Sequence, residues 1–303
     1  MILGIDIGGT STKLGLVHDD RVIAHARIPT TDQVDEHAFA DAIAQAVHDL
    51  IRTHGRGPLR AIGIGAPNAN QLTGRIEMAP NLPWKHDVPM ARMMSERMGV
   101  PAVLGNDANA AALGEWRYGA GRGMNDLLVV TLGTGVGSGF IVNGELVLGH
   151  AGNAGELGHT TLYPGGRPCT CGRSGCLEAY VSIRGMITTY TELGGDGEVP
   201  DVRAIAERAD AGATAALACF DRTAADLAIG LANAVCATGP QRIVLFGGIV
   251  RSGELLMAPL RRHFEHALLN IYHDRVDLVP SALPADDAAL LGAAALATWN
   301  DHK

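Results

Sequence analysis

The sequence predicts an α/β protein of two lobes, and three observations lead there. Strand-like apolar runs alternate with stretches of helical periodicity along the chain. Its 303 residues suffice for two domains, at roughly 150 residues per domain. The strand–glycine turn–strand pattern of residues 2–17 recurs at residues 127–142, and laying Gly8 on Gly133 superimposes the two. That weak internal symmetry suggests two related halves. Any hairpin can carry a glycine turn, and taken alone that is the better account of the match.

Taken in order, the chain opens with two apolar strands around Gly8-Gly9. Phe39, Ile43, Val47, Leu50 and Ile51 then recur at helical spacing. A short strand follows at 61–65, then a polar loop broken by Pro67, Pro80 and Pro83. Met90, Met93, Met94 and Met98 mark a helix over 88–98 that reads as core packing. A strand at 101–104 runs through Asn106-Asp107 into a helix. Loop-like sequence carries the cysteines beyond residue 150, and helical sequence follows from about 201 to 238. An apolar strand at 242–246 ends in Gly247-Gly248, and residues 288–299, Ala-rich and interrupted by Gly292, read as a buried helix.

Hydrophobic residues at 47% and charged residues at 18% supply a core and exclude the disordered class. A net charge of −8 argues against nucleic acid as a partner, because there is no basic excess to release counterions. A small anion is still bindable, since backbone amides hold phosphate without net positive charge. No run approaches the ~18 apolar residues of a membrane span. Met1 leads directly into the first strand, so the expectation is no targeting segment. Five cysteines, three of them within residues 169–176, suit a metal rather than a disulfide framework and point to the reducing cytoplasm.

Three glycine turns carry the chemistry. In Asp6-Ile7-Gly8-Gly9-Thr10, consecutive glycines let N–H groups converge on an anion, and the upstream Asp6 can hold a divalent cation through water. Residues 132–139, with Gly133, Thr134 and Gly135, and Phe246-Gly247-Gly248 each follow an apolar strand as well. One nucleotide site explains three such turns better than three unrelated hairpins. His159, Cys169, Cys171 and Cys176 offer one imidazole and three thiolates, a complete tetrahedral set for Zn²⁺ with no open position for a reactive water, so the metal reads as structural. Cys219 and Cys236 lie on apolar helical stretches and read as core residues.

In order, these turns resemble the phosphate-1, phosphate-2 and adenosine motifs of the actin/hexokinase/Hsp70 ATPase superfamily. Within it the chain resembles the ROK family of repressors and sugar kinases over nearly its full length. The most specific match is Glu156-Leu157-Gly158-His159 followed by residues 169–178, a ROK zinc signature. Residues 63–67, 79–84 and 105–109 look most like bacterial ROK glucokinases.

That resemblance implies two ribonuclease-H-like lobes around an interdomain cleft. The first would span 1–118, completed by a C-terminal helix at about 286–303; the second, 119–285, would carry the zinc loop at 156–178. It implies ATP-dependent phosphorylation of a hexose 6-hydroxyl, with ATP on Asp6, Gly8, Gly9, Thr10, Lys13, Gly133, Thr134, Gly135, Gly247 and Gly248, together with Mg²⁺. Asp107 would be the catalytic base, and Asn81, Asn106, Glu156, His159 and Glu178 would meet the sugar hydroxyls. His159 would bind zinc through one ring nitrogen and face sugar with the other. D-Glucose is the expected acceptor, with N-acetylglucosamine, N-acetylmannosamine or fructose as alternatives, and a homodimer is expected. Asn68 stands where many members have Gly; it tolerates positive φ but adds a polar side chain. A sugar-responsive regulator without catalysis is the rival class. The repressors carry an N-terminal DNA-binding domain, which is not expected here, and Asp6 and Asp107 favour the enzyme.

Overall fold

The computed structural model describes residues 1–79 and 82–299. Two compact units share the chain. The first comprises Met1–Gly123, Leu146–Ala154 and the described part of Ala282–Lys303; the second comprises Met124–Glu145 and Gly155–Ser281.

The first unit begins with β1 (Ile2–Ile7), β2 (Ser11–His18) and β3 (Arg21–Pro29), an antiparallel meander. Then come α1 (Glu36–His54), β4 (Ala61–Ala66), the small pair β5 (Ala69–Asn70) and β6 (Arg75–Ile76), α2 (Met90–Met98), β7 (Ala102–Asn106) and α3 (Asp107–Tyr118). Its sheet runs β3-β2-β1-β4-β7, with β1, β4 and β7 parallel. One face of β1 is apolar: Leu3, Ile5 and Ile7 join Phe39, Ile43 and Val47 of α1 in one buried cluster. Asp35 starts α1 by accepting the Ala38 amide at 2.8 Å. Met90, Met93 and Met94 are buried in the same core, as their spacing predicts.

In the second unit, β8 (Leu127–Leu132) and β9 (Val136–Val142) form an antiparallel hairpin, followed by β10 (Glu145–Leu146) at the point where the chain crosses between units. The helices α4 (Glu178–Val181), α5 (Ile183–Glu192), α6 (Val202–Asp210) and α7 (Thr214–Thr238) lead to β11 (Arg242–Phe246), α8 (Glu254–Ala267) and β12 (Asp277–Pro280). The sheet order β10-β9-β8-β11-β12 repeats the first unit's arrangement, again with the last three strands parallel. Leu128, Val130 and Leu132 pack with Leu227, Leu231 and Val235 of α7.

The last helix, α9 (Ala288–Thr298), returns to the first unit and is buried on nearly all sides. Its approach is close because β1 and β4 present glycines to it. A Cβ on Gly4 would lie 2.2 Å from the Leu290 carbonyl oxygen, and one on Gly63 only 1.7 Å from that of Ala293. The segment Leu146–Ala154 also belongs to the first unit, where the Asn70 Nδ2 donates to the Ala151 carbonyl at 2.8 Å.

The single helical stretch expected over 201–238 is two helices, broken where Gly212 takes a φ of +83°. Cys219 is buried as expected, whereas Cys236 is exposed: it falls on the solvent face of α7, which average apolarity does not reveal. Among the described residues no helix is long and apolar enough to cross a membrane.

Candidate functional site

In the first unit the candidate residues gather at the carboxyl ends of the parallel strands, where ligands of open α/β sheets bind. Asp6 pairs in register with Gly65, and Asn106 with Ala66. Asp6 and Asn106 therefore stand two strands apart, about 10 Å at the usual strand spacing. The Gly8-Gly9 turn is braced from beneath: the Thr30 hydroxyl donates to the Gly8 carbonyl at 2.8 Å and lies 2.9 Å from the Thr12 hydroxyl, with both threonines buried. The Gly8 amide donates to the Ser11 carbonyl at 3.1 Å, and the Thr10 carbonyl accepts from the Thr30 amide at 3.0 Å. Lys13 pairs with Asp6 at 3.6 Å. Burial raises the Asp6 carboxyl above its ordinary value, and Lys13 offsets this only in part.

Asn106 caps α3, its Oδ1 accepting the Ala108 amide at 2.8 Å, and the Asp107 Oδ1 accepts the same amide at 2.9 Å. The Asp107 carboxylate is thus held in the first turn, where the helix dipole favours negative charge. Asn68 adopts a φ of +52°, the left-handed region that Asn tolerates. Its side-chain amide is 3.3 Å from the Glu77 carbonyl, to which it donates. Asn81 lies outside the described residues.

In the second unit two glycine turns lie side by side. Gly133 to Gly135 follow β8, and Gly247-Gly248 follow its parallel neighbour β11. Gly247, at a φ of +117°, comes so near that a Cβ would be 2.3 Å from the Leu132 carbonyl oxygen; only glycine fits there. Thr134 sits at the tip of the first of these turns, which is closed by the Gly133 amide donating to the Gly135 carbonyl at 3.0 Å.

His159, Cys169, Cys171 and Cys176 come together with their ligand atoms all within 4.8 Å of one another. The Cys171 and Cys176 sulfurs are 3.7 Å apart, as are the Cys169 sulfur and His159 Nδ1. An edge of about 3.7 Å is what a tetrahedron with ligands near 2.3 Å from its centre requires. All three cysteines are free thiols. A hydrogen bond from the Arg173 backbone holds Cys171 below the ordinary thiol value, while burial pushes Cys176 up to about 12. A soft dication at the centre would stabilise all three as thiolates, so the donor set and its spacing fit Zn²⁺. His159 turns Nδ1 to the sulfurs and leaves its other ring nitrogen for a second partner.

Glu178 is buried and already engaged. Its Oε2 accepts the Val136 amide and its Oε1 the Thr170 hydroxyl, each at 3.0 Å. It thereby ties the cysteine loop to the strand leaving the second glycine turn. Glu156, by contrast, is exposed on a short 3-10 turn. Sequence reading missed Thr170 and Arg167 as supports of this loop. The Arg167 guanidinium lies 4.7 Å from the Tyr180 ring centre and donates to the carbonyls of Ala179 and Gly185. An arginine entering a cysteine-rich loop was the available signal.

The ROK family model matches residues 2–300. A curated glucokinase of Halalkalibacterium halodurans is 36% identical, over 96% of this chain and 92% of its own. The crystal structure of a ROK hexokinase from Thermus thermophilus is 34% identical and superposes with a TM-score of 0.84, covering 99% of each chain. That of a ROK family glucokinase from Streptomyces griseus, in complex with glucose and AMPPNP, is 32% identical with a TM-score of 0.81 over 98% of each chain.

Proposed function

The chain belongs to the ROK family, whose sugar kinases share the actin-like ATPase fold, and we propose that it is a glucokinase, moving the γ-phosphoryl group of ATP to the 6-hydroxyl of D-glucose. The observation that carries this reading is near-full-length similarity to glucokinases together with a His/Cys₃ cluster flanked by Glu156 and Glu178. The residue roles that follow are part of the proposal.

Phosphoryl transfer has a loose transition state, so the protein's work is positioning and electrostatic stabilisation. Asp107 orients the 6-hydroxyl and takes its proton as the new bond to the γ-phosphorus forms and the bond to the β-phosphate oxygen breaks. Asn106, Asn81, Glu156, His159 and Glu178 hold the sugar hydroxyls. A rigid wall of carboxylates, amide and imidazole reads polyol stereochemistry through paired acceptors and donors. The amides around Gly8, Gly9, Gly133, Thr134 and Gly135, with the Thr10 hydroxyl and Lys13, receive the phosphates, while Gly247-Gly248 pack against the adenosine. Asp6 would hold Mg²⁺ through water, consistent with a carboxylate that burial leaves short of compensating charge. The cation, when bound, neutralises charge on the transferring phosphates. Zn²⁺ on His159, Cys169, Cys171 and Cys176 would be structural, fixing the loop that presents His159 and Glu178. A cytoplasmic homodimer completes the reading.

Coupled detection of ADP release across glucose, N-acetylglucosamine, N-acetylmannosamine, mannose and fructose tests it. Glucose should give the highest kcat/KM; an N-acetyl sugar or fructose in that place would overturn the substrate. Sugar binding without ADP formation on any of these sugars would favour a non-catalytic regulator.

A further inference from the structure

The second glycine turn and the backbone that carries Glu156 are joined by one side chain. Ser138 lies on β9, three residues beyond Gly135, and is 5% exposed. Its hydroxyl donates to the Gly155 carbonyl and accepts the Leu157 amide at 3.1 Å, so it spans Glu156 from both sides. The contact is tight elsewhere as well: a Cβ on Gly158 would be 2.2 Å from the Val136 carbonyl oxygen, and Gly155 holds a φ of +100°. From the same strand the Val136 amide donates to Glu178. The first three residues of β9 thus hold both carboxylate-bearing segments. Glu156 itself points an exposed carboxylate from a backbone fixed on either side.

We propose that Ser138 is a positioning residue: it sets the Glu156 backbone by the glycine turn, so that nucleotide on the turn orders the acid that receives the sugar. This rests on reading Glu156 as a sugar contact and the 133–135 turn as a phosphate contact. The physical reason is saturation. A serine hydroxyl has one proton to give, and here it is given to Gly155 while a lone pair takes the Leu157 N–H. Without it, the half-buried Gly155 carbonyl and the buried Leu157 amide keep only their direct bond of 2.9 Å, and the turn that carries Glu156 loses its side-chain anchor to β9. The effect should fall on how strongly the two ligands favour each other's binding, a quantity that thermodynamic linkage makes reciprocal.

Calorimetric titration of Ser138→Ala with glucose, alone and with the non-hydrolysable analogue AMPPNP, tests the proposal. The parent should bind glucose more tightly with AMPPNP present. In the variant that ratio should fall toward one and glucose binding should weaken by about tenfold, with affinity for AMPPNP alone and zinc content unchanged. A parent-like ratio and glucose affinity would overturn it. Amide hydrogen exchange on the parent protein, independent of whether the variant folds, supplies a second reading. AMPPNP without sugar should slow exchange at Leu157 severalfold, and no change there would also overturn the proposal. If the parent binds AMPPNP but not glucose, the glucokinase reading fails by itself while the exchange measurement still decides the role of Ser138.

Discussion

Asp107 and Asp6 are both carboxylates at strand ends, yet their surroundings ask different things of them. Asp107 shares the Ala108 amide with Asn106, so the start of α3 has two acceptors and can lose a charge without losing its cap. Asp107→Asn should therefore keep the fold and the affinity for glucose while kcat falls on the order of 10³-fold, the usual worth of a positioned base. Steady-state kinetics beside equilibrium glucose binding will check this; turnover near the parent's would reduce Asp107 to a cap. Asp6 is costly to the ligand-free protein because burial raises its pKa. A raised carboxyl favours the protonated form in the folded state, so the penalty is absent below the unfolded pKa. It grows as pH rises through the window up to the folded pKa and is full above it. Asp6→Asn should thus raise the Tm of the ligand-free protein at pH 7, with the gain vanishing as pH falls through the carboxylate range, and should abolish phosphorylation. A Tm gain that persists in acid would place the cause elsewhere than in the charge.

Among the elements, those with a long periodic signal or a special residue were legible, and the short ones were not. α1 announced itself through Phe39, Ile43 and Val47, and the cysteine loop through the spacing of Cys169, Cys171 and Cys176. The four-residue α4 and the strand Asp277–Pro280 have no room for a period and take their shape from packing and from pairing with β11. Gly63 shows the same limit from the other side. In sequence it is merely a weak strand residue, whereas in the fold it is the floor on which α9 rests. Gly63→Ala must push the Ala293 backbone away and should cost about 3 kcal/mol, measurable by denaturant unfolding; a cost under ~0.5 kcal/mol, the range of an inert surface change, would mean α9 yields freely. The cysteine loop makes a separate claim. Purified protein should hold about one Zn²⁺ per chain, and Cys171→Ser should lower metal content and glucose affinity together. Elemental analysis and binding on the same preparation would expose any uncoupling, such as full affinity in metal-free protein.

For the whole molecule, the glycine turns made the repeated half legible, because Gly8 and Gly133 occupy the same place in two sheets of the same strand order. What sequence left open was the direction of side chains near those turns, which depends on neighbours distant in the chain. Asn68 is the case with consequences for substrate choice. From sequence, an Asn in place of Gly would reduce the room for an N-acetyl group if its side chain pointed into the expected sugar pocket. In the structure its backbone is left-handed and its amide donates to the Glu77 carbonyl, in a bond within the 68–77 segment. On the proposed reading, exclusion of an added acetamide then falls to the residues proposed to meet the hydroxyls. A site built to hydrogen-bond a hydroxyl discriminates through polar groups left unpaired when the partner changes, and it rejects added bulk only where space is lacking. Replacing Asn68 with Gly should therefore leave the ratio of kcat/KM for glucose over N-acetylglucosamine within about threefold of the parent, a change well under 1 kcal/mol. The left-handed backbone is equally open to Gly, so stability should shift by less than about 1 kcal/mol. If the glycine variant instead gains N-acetylglucosamine kinase activity by tenfold or more, Asn68 is the gate for the 2-substituent and its bond to Glu77 is not kept when sugar binds.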